Sequence, residues 1–197
     1  MSLSERFQQA LSYAAQLHAS QLRKGSQTPY VAHLLITAGI VLEYGSSEEE
    51  AIAALLHDAL EDQPKNGQTR EEIEILFGKP VLAIVEACSD TQTHPKPPWR
   101  ARKEAFIESI RTASPSACLV IAADKLHNTR SLARQYRELG EELWRDFRGG
   151  RDGSLWFSRA MYTALEQRSC LPPALLDELA SAVFELESLV SGDTNLV

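Results

Sequence analysis

The sequence predicts an all-α fold in a single domain of about eight to ten helices. Apolar residues recur at helical spacings of three and four along almost the whole chain, whereas the two-residue alternation typical of strands is nearly absent. With 197 residues and 44% hydrophobic content, the chain is long enough for one well-filled core. No repeat, low-complexity block or long linker divides it, so residues 1–197 are expected to form one domain.

The first three helices are predicted from the residues at their ends. A helix from Ser4 to His18 is followed by a polar loop that contains glycine and proline. The next helix runs from Tyr30 to Tyr44 and is closed by Gly45. Ser46 or Ser47 then caps a third helix, SSEEEAIAALLHDALED, whose early glutamates suit the positive end of the helix dipole.

Three shorter helices are predicted in the middle of the chain. Thr69 and Glu72 stand at capping-box spacing, and the helix that they open ends at Gly78. Residues 80–89 form a short apolar helix. The stretch TQTHPKPPW cannot be helical, because three of the four residues 95–98 are prolines. A helix resumes near Arg100.

Long helices are predicted for the last third of the chain. Ser114 and Pro115 precede a largely buried helical segment, ACLVIAADKLHNTRSLARQYREL. The glycine pair at 149–150 then separates this segment from two final helices, which are expected at Leu155–Arg168 and Pro173–Val190.

Charge and composition exclude several classes of function. The net charge is −7, with 20 basic and 27 acidic side chains, which argues against broad nucleic-acid binding. A small phosphorylated ligand stays compatible, since a bound cation and a few basic side chains can supply a local positive field. The N-terminus lacks a signal-peptide pattern, no stretch could span a bilayer, and the three cysteines have no CxxC spacing. We therefore expect a cytoplasmic protein with reduced thiols and no membrane partner.

The octet LLHDALED places a dense charge cluster directly after an apolar helical run. On a helix, His57 and Glu61 share one face, and so do Asp58 and Asp62. Buried charges are costly unless they are paired or bound to a metal ion. The octet is therefore either the solvated end of a helix or part of a metal site. Acidic residues at a helix C-terminus oppose the dipole, which favours the second interpretation.

Two residues elsewhere could complete a metal site. His33 stands early in the second helix, and Asp124 follows the apolar run LVIAA, where an unpaired carboxylate would be costly. Two imidazoles and two carboxylates suit a borderline divalent cation such as Mn²⁺, Fe²⁺ or Co²⁺, with Zn²⁺ as a further option. In the alternative interpretation, Asp124 only pairs with Lys125 or Arg130 in the core.

Three segments resemble, in the expected order, the RelA/SpoT-type alarmone hydrolases of the HD superfamily of metal-dependent phosphohydrolases. RKGSQTPYVAH is similar to the loop and helix that precede the first metal ligand, HDALED resembles the HDxxED signature, and DKLHNTRSL resembles the D-[RK]-L-x-N-x-R segment. Together they cover residues 21–132. The resemblance implies an HD-type helical domain and a stand-alone small alarmone hydrolase, because the chain has no room for the synthetase domain of the long members.

The resemblance also implies a reaction and the residues that perform it. The reaction is removal of the 3′-pyrophosphate from (p)ppGpp, which yields GDP or GTP and pyrophosphate. The implied ligands of a divalent metal ion, Mn²⁺ in that family, are His33, His57, Asp58 and Asp124. Glu61 and Asp62 match positions that assist the attacking water. The implied nucleotide-binding residues are Arg23, Lys24, Asn128 and Ser131, the last where many relatives carry threonine.

One stretch, TQTHPKPPWRARKEAF, departs from the long enzymes and leaves the substrate open. It could line the base or phosphate pocket through its basic residues Lys96, Arg100, Arg102 and Lys103. The alternatives to a guanine alarmone are (p)ppApp, a nucleoside monophosphate, or a non-catalytic nucleotide-binding module. The oligomeric state also stays open, with a homodimer among the alternatives.

Other conspicuous side chains have simpler expected roles. His18 and His94 have no partner suggested by spacing, although His94 could touch a ligand from its loop. His127 is expected at the rim of the metal site, since it lies between the predicted ligand and the asparagine. The three tryptophans are expected to pack in the protein: Trp99, Trp144 and Trp156.

Overall fold

The computed structural model describes residues 2–45, 47–64, 67–91 and 95–192. Within these ranges the predicted all-α class is confirmed, and strand pairing is limited to one isolated bridge between Leu22 and Pro29. The helices of this part of the chain are α1 (Glu5–Leu17), α2 (Val31–Tyr44), α3 (Glu48–Leu56), α4 (Ala59–Asp62), α5 (Gln68–Cys88), α6 (Trp99–Ser109), α7 (Pro115–Leu139), a 3-10 segment (Gly140–Asp146), α8 (Gly150–Gln167) and α9 (Pro173–Ser191). α1, α2 and α9 begin and end within one residue of the predicted bounds.

Helix α7 is the central element of the core. It packs against α2, α3, α5, α8 and α9, and residues 117–124 are all buried. Each buried valine, leucine or isoleucine side chain contributes roughly 1.5–3 kcal/mol, so this run holds the middle of α7 firmly. The one carboxylate in the run, Asp124, is therefore held in a buried position by its apolar neighbours.

The start of α3 is fixed by a capping box at one of the two predicted serines. Ser47 Oγ accepts a hydrogen bond from the Glu50 backbone N–H (3.2 Å), and the Glu50 carboxylate accepts one from the Ser47 N–H (3.0 Å). The alternative cap, Ser46, lies outside the described residues. The buried Glu50 also accepts a hydrogen bond from Ser116 Oγ (2.8 Å), so the cap joins α3 to α7.

Replacing Ser47 by alanine should lower the free energy of unfolding by about 1 kcal/mol, the usual loss when a helix cap is removed. Urea unfolding followed by circular dichroism measures the change. Ser181→Ala is the control, because this exposed hydroxyl donates to the Asp177 carbonyl within its own helix, α9. Its removal should change stability by less than about 0.5 kcal/mol. Equal stability of the two variants would show that the Ser47 cap contributes nothing.

The predicted capping box of Thr69 and Glu72 is wrong. The N-cap of α5 is Gly67, two residues before Thr69, and Thr69 Oγ1 donates instead to the Gln63 carbonyl. The Glu72 carboxylate accepts a hydrogen bond from the Tyr13 hydroxyl of α1 (2.6 Å). Both side chains of the motif therefore bind other partners, Thr69 in the preceding loop and Glu72 on α1. The predicted helix end at Gly78 is present as a kink inside α5, where φ is +84°, a conformation that favours glycine.

Helix α8 begins at Gly150, five residues earlier than predicted. The Trp99 ring lies against the start of this helix: a Cβ on Gly149 would come within 2.6 Å of the ring, and one on Gly153 within 3.1 Å. These glycines accommodate an aromatic side chain, and that packing overrides their low helix propensity. The 3-10 segment before α8 is also absent from the prediction; it buries Trp144.

Three smaller expectations concern the rest of the chain. The proline-rich stretch carries no helix at residues 95–98, and α6 follows it directly, as predicted. All three cysteines lie in the described part of the chain and carry free thiols, as predicted. Among the described residues, no helix combines the length and the apolar character that crossing a membrane would require.

Candidate metal centre and adjoining cavity

The predicted third helix is divided in two at His57 and Asp58. α3 ends just before these residues and α4 begins just after them. His57 Nδ1 lies 2.8 Å from the Ala54 carbonyl, to which it donates, so Nε2 is the nitrogen left to face the interior. The helical turn nevertheless continues across the break, because the Asp62 N–H donates to the Asp58 carbonyl (3.0 Å). Asp58 and Asp62 therefore keep the relative placement that the sequence predicts.

The four predicted metal ligands come together from three separated segments. His33 Nε2, from α2, lies 3.1 Å from His57 Nε2 and 3.4 Å from Asp58 Oδ2. Asp124 Oδ1, from the middle of α7, lies 3.2 Å from His33 Nε2 and 3.6 Å from His57 Nε2. One ligand atom from each of His33, His57 and Asp58 lies within 4.8 Å of the others, close enough to share one ion. We refer to the four residues as the His-Asp cluster.

The charges in the His-Asp cluster favour a cation. Burial would lower the pKa of His57, but Asp58 and Asp124 raise it well above its usual value. Burial would raise the pKa of Asp58, yet His57 and His33 hold it well below its usual range. The pKa of Asp124 is also held low against burial, chiefly by Lys125. Two ionised carboxylates thus stabilise positive charge next to two imidazoles, and this donor set suits a borderline divalent cation.

The alternative pairing of Asp124 is present in part. Lys125 Nζ lies 2.6 Å from Asp124 Oδ2, while Oδ1 faces the imidazoles and accepts a hydrogen bond from Asn128. Arg130 pairs instead with Glu178 (2.8 Å). The ion pair with Lys125 therefore accompanies the cluster and does not replace it.

Glu61 and Asp62 lie at the edge of the His-Asp cluster. With the two cluster carboxylates they line a small cavity of about 180 Å³. Glu61 Oε1 accepts a hydrogen bond from Lys96 Nζ (3.1 Å), and Asp62 Oδ2 accepts one from Gln21 Nε2 (2.6 Å). Burial and the nearby Asp90 raise the pKa of Glu61, although Lys96 opposes the shift. A carboxyl group of raised pKa beside a metal site is suited to proton transfer.

A larger cavity of about 570 Å³ adjoins the small one and shares Glu61 and Asp62 with it. Its wall combines positive charge with aromatic rings. The basic lining residues are Arg23, Lys24, Lys96, Arg102, Lys103, Lys125 and Arg148, and the aromatic ones are Tyr30, Trp99, Phe147 and Phe157. A cavity of this size and lining suits a phosphorylated ligand with a planar ring.

The four predicted nucleotide-binding residues all line the larger cavity. Arg23 Nη2 donates to Asn128 Oδ1 (2.8 Å), and Lys24 Nζ lies 4.5 Å from the centre of the Phe147 ring. Ser131 Oγ lies 3.3 Å from Nε2 of His127, which is also on α7, so this hydroxyl has a protein partner too.

The stretch TQTHPKPPWRARKEAF, which differs from the long enzymes, contributes three of its four basic side chains to the wall of the larger cavity. Lys96, Arg102 and Lys103 are lining residues. The expectation for Arg100 is wrong: its guanidinium lies 3.3 Å from the centre of the Trp156 ring and pairs with Glu104 (2.7 Å), away from the cavity.

Sequence reasoning missed two polar residues of the site. The Tyr30 hydroxyl donates to Asp58 Oδ2 (2.6 Å). Asp90 is nearly inaccessible and contacts both Arg102 (2.6 Å) and Lys103 (2.7 Å), so it fixes two cations of the wall. No local pattern marks Asp90, because its partners lie beyond the proline-rich stretch.

The observed positions of the remaining histidines and tryptophans agree only in part with the predictions. His127 lies against the cluster itself, with Nδ1 2.6 Å from His33 Nδ1. His18 does have a partner, since its ring stacks on Tyr30 with centres 5.2 Å apart, and His94 lies outside the described residues. The tryptophans pack as predicted, but Trp99 also lines the larger cavity.

Comparison with curated proteins identifies similar sequences of named activity. The chain is 42% identical over 129 residues to guanosine-3′,5′-bis(diphosphate) 3′-pyrophosphohydrolase MESH1 of Xenopus tropicalis, which is 64% of this chain and 69% of that protein. The Homo sapiens protein of the same name is 38% identical over 129 residues, which is again 64% of this chain and 69% of that protein. Bifunctional (p)ppGpp synthase/hydrolase SpoT of Escherichia coli (strain K12) is 35% identical over 134 residues, 65% of this chain but 18% of that protein.

Solved structures and a family model agree with these similarities. A structure described as a metazoan ortholog of SpoT that hydrolyzes ppGpp aligns with a TM-score of 0.71 and 27% identity, over 100% of this chain and 99% of that one. The crystal structure of lmo0812 from Listeria monocytogenes EGD-e aligns with a TM-score of 0.66 and 31% identity, over 82% and 99%. The model of the HD domain matches residues 10–154. The resemblance seen in the sequence is confirmed, and this chain belongs to the HD-domain family.

Proposed function

We propose that this chain hydrolyses (p)ppGpp, removing the 3′-pyrophosphate to leave GDP or GTP. The observation that carries the proposal is the convergence of the His-Asp cluster beside a basic cavity with aromatic walls. The similar proteins named guanosine-3′,5′-bis(diphosphate) 3′-pyrophosphohydrolase, and the aligned structure of a ppGpp-hydrolysing SpoT ortholog, support the same reaction.

The His-Asp cluster is proposed to hold one divalent cation. The proposed donors are Nε2 of His33 and His57 and carboxylate oxygens of Asp58 and Asp124, the atoms that face one another in the structure. A cation bound there would supply Lewis-acid activation of water and of phosphoryl oxygens. The mixture of imidazole and carboxylate donors supports Mn²⁺, the ion that the family resemblance implies.

The carboxylate pair is proposed to carry the protons of the reaction. Glu61 would accept a proton from the attacking water, and Asp62 would assist from the next position. Lys96 orients the Glu61 carboxylate and Gln21 orients that of Asp62, through the contacts of 3.1 and 2.6 Å. The raised pKa of Glu61, caused by burial and by Asp90, supports this role because a stronger base takes up the proton more readily.

The nucleotide is proposed to bind along the wall of the larger cavity. The proposed contacts are Arg23, Lys24, Asn128 and Ser131, all of which line that cavity. A guanidinium can stack on a base or bind phosphate with two N–H groups, and an ammonium suits phosphate as a point charge. Arg102 and Lys103, held by Asp90, would face the remaining phosphate charge.

A nucleotide panel assayed with Mn²⁺ tests the proposal. We expect repeated turnover of ppGpp with one pyrophosphate released per nucleotide, and a higher kcat/KM than for ppApp. Phosphate release from GMP or AMP, without pyrophosphate from ppGpp, would contradict the proposed substrate. Stoichiometric binding of ppGpp without turnover by the Mn²⁺-loaded chain would contradict an enzymatic role.

The adenine alarmone is the second candidate substrate in this panel. It is favoured by one observation: the stretch that departs from the long enzymes supplies Lys96, Trp99 and Arg102 to the cavity wall. A wall of different composition can change which base is preferred. A kcat/KM for ppApp above that for ppGpp would assign the chain to the adenine substrate.

Residues 1–197 are further proposed to form one domain, because the larger of the two buried clusters in the described residues contains side chains from α1 through to α9. The cytoplasmic location stays a prediction, and the choice between a monomer and a homodimer stays open. Light scattering of the purified chain would distinguish a monomer from a homodimer.

A further inference from the structure

The two imidazoles of the His-Asp cluster are oriented by different kinds of partner. His57 Nδ1 donates to the carbonyl of Ala54 in its own helix (2.8 Å). His33 Nδ1 faces a side chain from another helix, with His127 Nδ1 of α7 at 2.6 Å. The His33 and His127 rings stack with their centres 4.8 Å apart and their planes inclined by 21°. The orientation of His33 therefore depends on a side chain, whereas that of His57 depends on the backbone.

The two ring nitrogens of His33 face different partners. Its Nε2 faces the cluster, 3.2 Å from Asp124 Oδ1. A nitrogen that binds a cation carries no proton, so a neutral His33 ring keeps its proton on Nδ1. The nearest acceptor is His127 Nδ1, since the Thr37 hydroxyl is 3.5 Å away. The proton of His127 is then on Nε2, which lies 3.3 Å from Ser131 Oγ.

We propose that His127 is a positioning residue for the metal centre, whose Nδ1 accepts the Nδ1 proton of His33 and so fixes the tautomer and the ring plane of that ligand. The proposal rests on the proposed function, because it requires a cation at the cluster. Helix α7 supplies Asp124 as a ligand and, one turn later, His127 as the partner of a second ligand. The packing of α7 against α2 thus sets the orientation of two donors at once.

Three replacements of His127 separate the hydrogen bond from the stacked ring. His127→Asn keeps an acceptor near the position of Nδ1, His127→Gln places its amide near Nε2, and His127→Phe keeps the ring without an acceptor. Loss of the partner of a metal-bound histidine typically weakens metal binding about 10–100-fold. We expect that loss for His127→Phe and His127→Gln in calorimetric titrations of the full chain with Mn²⁺. His127→Asn should stay within about threefold of the native affinity, since its acceptor is retained.

Two controls exclude a general effect on the fold. Thr37→Val removes the more distant hydroxyl beside His33 Nδ1 and should leave the Mn²⁺ affinity unchanged. Thermal unfolding of each variant without added metal should give Tm values close to native for His127→Asn and His127→Phe. A lower affinity at an unchanged Tm assigns the effect to the ligand.

The outcomes distinguish this proposal from the proposed function. Native-like Mn²⁺ affinity in His127→Phe, or equal losses in His127→Phe and His127→Asn, would overturn the positioning role and leave the metal centre standing. Absence of Mn²⁺ and Zn²⁺ binding by the native chain would instead overturn the metal centre on which the role depends.

Discussion

Replacing Asp58 by asparagine is expected to remove metal binding at the His-Asp cluster and to reduce (p)ppGpp hydrolysis to background. Asp58 Oδ2 lies 3.0 Å from His57 Nε2 and 3.4 Å from His33 Nε2, in the position of a direct ligand. The amide keeps the shape of the side chain and can still accept the Tyr30 hydrogen bond, but it lacks the negative charge. Because the change removes a proposed direct ligand, the decrease in Mn²⁺ affinity should exceed the roughly 10–100-fold change that follows loss of a ligand's partner.

Metal content after dialysis and calorimetric titration measure this loss directly, without reference to turnover. Asp152→Asn is the matched control, because that carboxylate is 88% exposed and pairs with the neighbouring Arg151 at the start of α8. It should keep both metal binding and activity. A full equivalent of tightly bound Mn²⁺ in Asp58→Asn would show that the carboxylate is not a ligand and would remove the basis for the proposed centre.

The two carboxylates of the His-Asp cluster could be predicted to need a partner, because each is costly in its local context. A carboxylate directly after LVIAA, or beside a histidine at the end of an apolar helix, needs a compensating charge wherever the chain folds. The helix bounds of α1, α2 and α9 depend on equally local signals, namely caps and apolar periodicity. Such signals do not depend on which other segments lie nearby.

The contacts that sequence reasoning missed depend on which separated segments of the chain pack together. His127 meets His33 only because α2 and α7 pack side by side, although 94 residues separate them. Asp90 meets Arg102 and Lys103 only because the first turns of α6 lie beside the residues that follow α5. The same cause explains the errors: Thr69 and Glu72 have capping-box spacing, but Gln63 and Tyr13 are better placed partners.

The break between α3 and α4 has a related explanation. The octet LLHDALED contains no proline or glycine, so its sequence favours one uninterrupted helix. At the break, His57 turns its Nδ1 to the Ala54 carbonyl, while His57 Nε2 and the Asp58 carboxylate meet His33. We infer that convergence of the cluster selects this local distortion over the regular helix.

Replacing Glu61 by glutamine is expected to lower kcat about 100-fold, the usual scale for loss of general acid–base catalysis. The Mn²⁺ affinity should stay close to native, because Glu61 stands outside the four-ligand set. Glutamine can still accept the hydrogen bond that Lys96 donates at 3.1 Å, so the cavity wall should keep its shape and KM should change little. Steady-state kinetics with ppGpp, together with calorimetric Mn²⁺ titration, separate these effects.

A second glutamate provides the control for this substitution. Glu104 is exposed and pairs with Arg100 on α6 (2.7 Å), so Glu104→Gln makes the same chemical change outside the cavity. It should leave kcat and KM unchanged. If Glu61→Gln behaved in the same way, Glu61 would be a structural anchor for Lys96 and the proton would have to move through Asp62 or another group.

The pH dependence of kcat tests whether Glu61 transfers a proton or only holds Lys96. Burial and the charge of Asp90 raise the pKa of Glu61 above its ordinary value of 4.5. Activity should therefore fall as the pH drops through that raised pKa, because a protonated carboxyl group cannot accept a proton from water. Asp90→Asn removes a negative neighbour, lowers the pKa of Glu61 and should move the acidic limb of the profile to lower pH. If the acidic limb does not move in Asp90→Asn, a different group titrates. If the limb moves in Asp90→Asn and disappears in Glu61→Gln, the proton transfer is assigned to Glu61.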